Sequence, residues 1–359
     1  MNNQMKAAVL YAKEDMRIEQ RDIPQIGDNE LLIAVKACSI CGSDLSYYYG
    51  HSPLETPDGK GPLVLGHEIS GEVVAMGAVP QKAKLFASGD RVVINPVQQC
   101  NACEYCLRGE FNCCEHVETI GTRVDGGMAE FVKVKYTHAY KIPDSISFEQ
   151  GALAEPLACA TYGINRLDIE LGQDVVIFGP GPIGLMMTQL AKASGAGRVV
   201  MVGVEDFGLK TALQLGADVV INTVDSNSSY YSNDLVQTIR QKLGRLAARA
   251  IVPTNAMTAL QQAIEVTGKN STIVYFGLPG AEDTLQIPML QAIMANRTFK
   301  CSWLAPLVWD NVFNLIASGQ IDTSLLITHR FTLDEAEQAI RFMKESKAPK
   351  IKAVIKVAE

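Results

Sequence analysis

Five of the chain's nine cysteines fall within the fifteen residues CNACEYCLRGEFNCC, 100–114. Cys100, Cys103, Cys106 and Cys114 give the spacing C-x2-C-x2-C-x7-C. Four thiolates can close a tetrahedral shell around zinc and tie down a loop too polar to fold by itself. Bacterial ferredoxins also begin C-x2-C-x2-C, but they continue with x3-C-P. Here no cysteine stands at that position and no proline follows the last one. The run therefore reads as a structural zinc site, with Cys113 as a spare structural residue.

A second set of metal-binding residue types is dispersed. Cys41 opens CGSD (41–44), His67 and Glu68 lie in GHE (66–68), and Glu155 lies in AEPLA (154–158). Cys, His and Glu are the ligand types of catalytic zinc centres, which keep one position open for water or substrate. Singly, each also suits a bland role: a buried cysteine, a core histidine, a glutamate at a turn. Spacing alone leaves open whether residues 41, 67 and 155 meet in space.

A third motif, GPGPIG (179–184), suits phosphates. Gly179 permits a tight turn, Gly181 lets backbone approach a pyrophosphate, and Gly184 lets a helix pack closely on its strand. Pro182 and Ile183 then open that helix, whose N–H groups face the phosphates.

Elements of two textures must position these residues. ELLIAVKA (30–37), EISGEVVAMG (68–77) and RVVINPV (91–97) are short β-branched runs bounded by turn residues, which predicts a β-rich first part. From about residue 170 the pattern changes to buried strand, helix, buried strand, helix, strand: DVVIFG, PIGLMMTQLAKASGA, RVVMVG, KTALQLGA, DVVIN. That order predicts a doubly wound parallel sheet, with STIVYFG (271–277) as a later strand. Near the end, TLDE (332–335) fits a capping box before a helix with Leu333, Ala336, Ile340 and Met343 on one face. KIKAVIKV (350–357) alternates and suits a strand with one solvated face.

Composition narrows the function classes. The 359 residues allow two domains, and 47% hydrophobic with 20% charged residues is ordinary for a globular protein. A net charge of −7 gives no basic footprint for nucleic acid. The opening MNNQMKAAVLYAKED has no apolar stretch long enough for a signal peptide, and the longest uncharged run, 175–191, is broken by GPGP and short for a membrane span. A soluble cytoplasmic protein with reduced thiols is the expectation.

With CGSD, GHE, the four-cysteine lobe, AEPLA and GPGPIG in that order, the chain resembles the zinc-dependent medium-chain dehydrogenases. It is most similar to their polyol (sorbitol-type) and threonine dehydrogenase branch, from about Lys6 to Val357. The resemblance implies an α/β protein with a split GroES-like catalytic domain, residues 1–154 and 297–359, carrying the structural-zinc lobe at about 96–116. Residues 155–296 would form a Rossmann dinucleotide-binding domain. Cys41, His67 and Glu68 would hold the catalytic zinc, with Glu155 bound to it directly or through water. Ser43 would relay the substrate proton and Asp44 would orient its neighbours. Two zinc ions per chain and NAD are thus implied, with NADP possible because Gly203 stands where NAD-specific members carry Asp. Glu205 lies just beyond. The implied substrate is a secondary alcohol on a polyol or sugar-derived molecule, with Tyr47, His51 and Arg123 as candidate contacts. The alternatives are an amino alcohol of the threonine type, or a non-catalytic nucleotide-binding redox sensor. No nucleic-acid or membrane partner is expected, but a homo-oligomer, tetramer or dimer, is.

Overall fold

The computed structural model describes residues 3–52 and 61–358. The chain forms two compact units, one running to Pro156 and resuming at Ile327, the other spanning Leu157–Leu326. The return therefore comes later than the expected residue 297, because strand Thr298–Cys301 pairs in parallel with Thr267–Tyr275 and stays with the second unit's sheet.

In the first unit, strand Glu30–Ser39 is the hub. It pairs antiparallel with Glu68–Met76, Phe131–Lys135 and Lys352–Lys356. Its residues alternate between buried and half-buried before the run Ala37–Ser39 is wholly buried. The register sets Ser39 directly opposite Glu68 and Val354 opposite Ser39. Three segments far apart in sequence therefore meet at one end of this strand. The capping box at Thr332 forms, with its amide donating to Glu335 Oε2 at 2.8 Å, and the helix Ala336–Glu345 buries Ala336 and Ile340 completely.

The second unit holds a six-stranded sheet in the order Val219–Asn222, Val199–Gly203, Val175–Phe178, Ala247–Val252, Thr267–Tyr275, Thr298–Cys301. Every pairing in it is parallel. Counted along the chain this is order 3-2-1-4-5-6, the doubly wound dinucleotide-binding arrangement. Its first strand is wholly buried, as a parallel strand covered on both faces requires. Among the described residues no helix is long and apolar enough to cross a membrane.

Candidate functional site

Cys41 follows the hub strand by two residues and caps the helix Gly42–Tyr48. Asp44 in that helix's first turn is fully buried and ties two segments together. Its Oδ2 accepts the Cys41 amide at 2.8 Å and its Oδ1 accepts the Gly66 amide at 3.3 Å. The same Oδ1 stands 3.6 Å from His67 Nδ1, while Ser43 Oγ lies 3.4 Å from His67 Nε2. One carboxylate thus fixes the backbone of both ligand segments and backs the imidazole.

This geometry brings together what spacing left open. Ligand atoms of Cys41, His67 and Glu68 all lie within 4.8 Å of one another. Glu155, buried in the first turn of helix Ala154–Asn165, does not join that group. Burial alone disfavours a proton on His67, yet Asp44 and Cys41 outweigh it and raise the pKa well above the usual histidine value. A donor set that draws positive charge into a buried pocket fits a cation such as zinc.

Glu68 has a partner that the sequence pattern missed. It is fully buried, accepts the Ser39 hydroxyl, and lies 2.7 and 2.6 Å through its two oxygens from Lys352 Nζ. Lys352 is 3% exposed, so the strand read as having one solvated face instead buries a lysine there. Burial opposes that charge, but Glu68 more than compensates and the ammonium persists. The one available signal was the odd polar residue in KIKAVIKV, which alternation explains equally well.

The cysteine lobe is built locally. Sulfurs of Cys100, Cys103, Cys106 and Cys114 lie within 4.8 Å of one another, and Cys100 Sγ to Cys106 Sγ is 3.9 Å. Tetrahedral zinc with thiolate bonds near 2.3 Å would set sulfur–sulfur edges of about 3.8 Å, so the cage fits that ion. Backbone amides of Ala102 and Cys103 point at Cys100 Sγ from 3.4 and 3.3 Å, and the Cys100 amide at Cys114 Sγ from 3.3 Å. Amides of Cys106 and Glu115 hold the Cys103 thiol down at about 6. Cys113 is exposed and lies outside the cage. None of the nine cysteines is in a disulfide.

At the glycine turn, a Cβ on Gly184 would sit 2.0 Å from the Gly179 carbonyl oxygen, so helix Pro182–Ala193 packs directly on its strand. The space beside Gly181, at the helix N-terminus, is open, leaving room for a phosphate against backbone N–H groups. Gly203 ends its strand with Pro180 against it, and a Cβ there would meet Pro180 Cδ at 2.6 Å. The proline within GPGP is thus the steric reason that no acidic side chain occupies this position. Glu205 is exposed and caps the helix Asp206–Gln214, while Asp206 accepts from Asn222 Nδ2 at 2.9 Å and Ser228 Oγ at 2.6 Å. Arg198, at the far end of the strand from Gly203, is paired with Asp174 at 3.0 Å.

Known proteins agree with this architecture. Residues 27–144 match the alcohol dehydrogenase GroES-like domain and residues 182–318 the zinc-binding dehydrogenase domain. Sorbitol dehydrogenase of Bombyx mori is 33% identical over 349 residues, spanning 96% of this chain and 97% of that protein. A zinc-binding dehydrogenase from Sinorhizobium meliloti 1021, solved with NADP, superimposes with a TM-score of 0.89 at 28% identity over 99% of both chains. The 2R,3R-butanediol dehydrogenase of Bacillus subtilis gives a TM-score of 0.87 at 29% identity over 99% of this chain and 100% of that one. The chain belongs to the zinc-dependent medium-chain dehydrogenases, beside their sorbitol and polyol branch. It is an alcohol oxidoreductase that works with a nicotinamide cofactor.

Proposed function

We propose that the protein oxidises a secondary alcohol of a polyol to a ketone, with Cys41, His67 and Glu68 holding the catalytic zinc ion. The observation that carries this reading is the meeting of those three donors beside the Ser43 hydroxyl. Zinc, when bound, supplies a Lewis acid that makes an alcohol hydroxyl acidic near neutral pH. Ser43 Oγ then accepts the hydroxyl proton and passes it on by hydrogen bonds. Asp44 keeps the imidazole oriented through Nδ1. Glu155, standing outside the three-donor group, acts through a water molecule. Gly179, Gly181, Pro182, Ile183 and Gly184 hold the pyrophosphate, and Cys100, Cys103, Cys106 and Cys114 carry a second, structural zinc. Similarity to sorbitol dehydrogenase supports the substrate class.

The cofactor is NAD, with modest selectivity. Gly203 supplies no carboxylate to repel a 2′-phosphate, but Arg198 is committed to Asp174 and Glu205 and Asp206 add negative charge nearby. The enzyme works in the cytoplasm, where a thiolate cage stays reduced. It assembles from identical copies. Support comes from the sheet edge at Thr298–Cys301 and the neighbouring helix Met289–Met294, whose Leu290, Ile293 and Met294 are at least 70% exposed. Rates with polyols, aldoses, amino alcohols and simple alcohols, each with both nucleotides, test the reading. Faster turnover of ethanol or threonine than of every polyol would overturn it, and light scattering that gives a monomer mass would overturn the assembly.

A further inference from the structure

Glu68 already has a cation against it before any metal ion is considered. It is fully buried, as is Ser39, and Lys352 is 3% exposed. Lys352 Nζ lies 2.7 Å from Glu68 Oε1 and 2.6 Å from Oε2, and Oε2 also accepts the Ser39 hydroxyl. One ammonium therefore engages both carboxylate oxygens. Lys141 with Asp90 and Lys192 with Asp218, by contrast, pair in partly exposed positions. Taking an ammonium out of water is costly, and apolar residues in place of a buried pair are often neutral or stabilising. Stability alone thus gives no reason for a lysine here.

The lysine is held in place from both sides. The Thr328 hydroxyl donates to the Lys352 carbonyl at 3.1 Å and accepts the Ile351 amide at 3.0 Å. On the other side, the Ala353 carbonyl accepts the amide of Ile40 at 3.0 Å, one residue before Cys41. The backbone that carries the ammonium is tied to the backbone that carries the first metal donor. Two charges of opposite sign therefore flank the three donors. Asp44 accepts the Cys41 amide at 2.8 Å and stands 3.6 Å from His67 Nδ1, so its charge favours a cation at those two residues. Lys352 opposes a cation at Glu68.

The geometry points to Lys352 as a positioning residue that competes with the metal ion for Glu68. Zinc–carboxylate bonds are about 2.0–2.2 Å long, so a divalent ion on Glu68 shares one short side chain with a fixed ammonium, and the two cations repel. Cys41 and His67 are then the firm donors and Glu68 the restrained one. The centre binds its ion less tightly than the same three donors would without the lysine. This rests on the three-donor reading above and names the donor that is held back.

The test is zinc competition against a chromophoric chelator on the full chain, with Cys41→Ala showing which bound ion belongs to this centre. Lys352→Met should tighten that ion on the order of 10²-fold, because the competing charge is gone, and leave the ion of the cysteine cage unchanged. Lys352→Arg restores the charge and should return the affinity toward the native value. Lys352→Gln keeps an N–H donor for Glu68 without the charge, so it should tighten zinc even if Lys352→Met fails to fold. In cobalt-loaded protein the visible spectrum reports the ligand set. It should change in Lys352→Gln and revert in Lys352→Arg, whereas a merely structural lysine would move the melting temperature and leave the spectrum alone. Affinity unchanged or weakened in the neutral variants overturns the competition and leaves the three-donor reading standing. Retention of two zinc ions by Cys41→Ala overturns that reading itself.

Discussion

The two clusters of candidate metal donors in the first unit are built in opposite ways. The cysteine lobe draws its donors from fifteen consecutive residues and orders them with amides of the same loop. The other centre takes Cys41 from the end of one strand, His67 and Glu68 from the start of its neighbour, and a counter-charge from Lys352 on a third. The locally closed cage takes all four donors from one loop. A centre assembled by strand register depends on the sheet, and in return it can leave a coordination position open beside Ser43.

This contrast predicts unequal consequences of losing a ligand. Cys41→Ala and His67→Ala are expected to lower kcat on the order of 10³-fold or more, since the Lewis acid is lost. Nucleotide binding, measured by fluorescence titration, should persist, because the glycine turn belongs to the other unit. One tenth of native activity in either variant would break the assignment of the dispersed centre.

Cys103→Ala should act chiefly on folding. Bound zinc, counted by elemental analysis, should fall from about two to about one per chain, and the melting temperature should drop because a closed structural site contributes folding free energy. Unchanged zinc content would break the comparison from the other side, as would a brown protein releasing acid-labile sulfide.

Lys352→Met sharpens the contrast further, since this buried lysine on a distant strand faces Glu68 of the dispersed cluster. Removing one partner of a buried pair leaves Glu68 uncompensated, which costs about 3–5 kcal/mol. Urea unfolding should show this cost in chelator-treated protein and a smaller one with zinc present, because the metal then supplies the missing positive charge. Equal losses in both conditions would mean that Lys352 and the metal do not share Glu68.

The smallest effect concerns His138, which supports the base of the lobe through Gln99 Oε1, 2.8 Å from its Nε2. Burial, aided by the charge of Lys135, lowers its pKa to about 4. The ring stays neutral in the fold while the unfolded chain takes up a proton below the ordinary histidine value of about 6.5. Stability should therefore fall as pH drops from about 6.5 toward 4, by at most about 3 kcal/mol from this residue. His138→Gln should flatten the urea-midpoint profile over that window, and an unchanged slope would exclude the effect.

The strand–helix alternation, the glycine turn, the capping box and the four-cysteine spacing were legible in the residues, because each is a pattern among near neighbours. Strand burial, helix capping and a thiolate cage need few residues beyond their own segment. The meeting of Cys41 with His67 and Glu68 was not legible from spacing, since it depends on the antiparallel register that sets Ser39 against Glu68. Lys352 looked like the solvent side of an alternating strand until the fold placed Glu68 beside it. The later return at Ile327 follows from a strand pairing, and the steric need for Gly203 follows from Pro180 lying over it. Local sequence carries propensity and donor chemistry, but a contact between distant segments exists only once the sheet has chosen its register and closed its core around them.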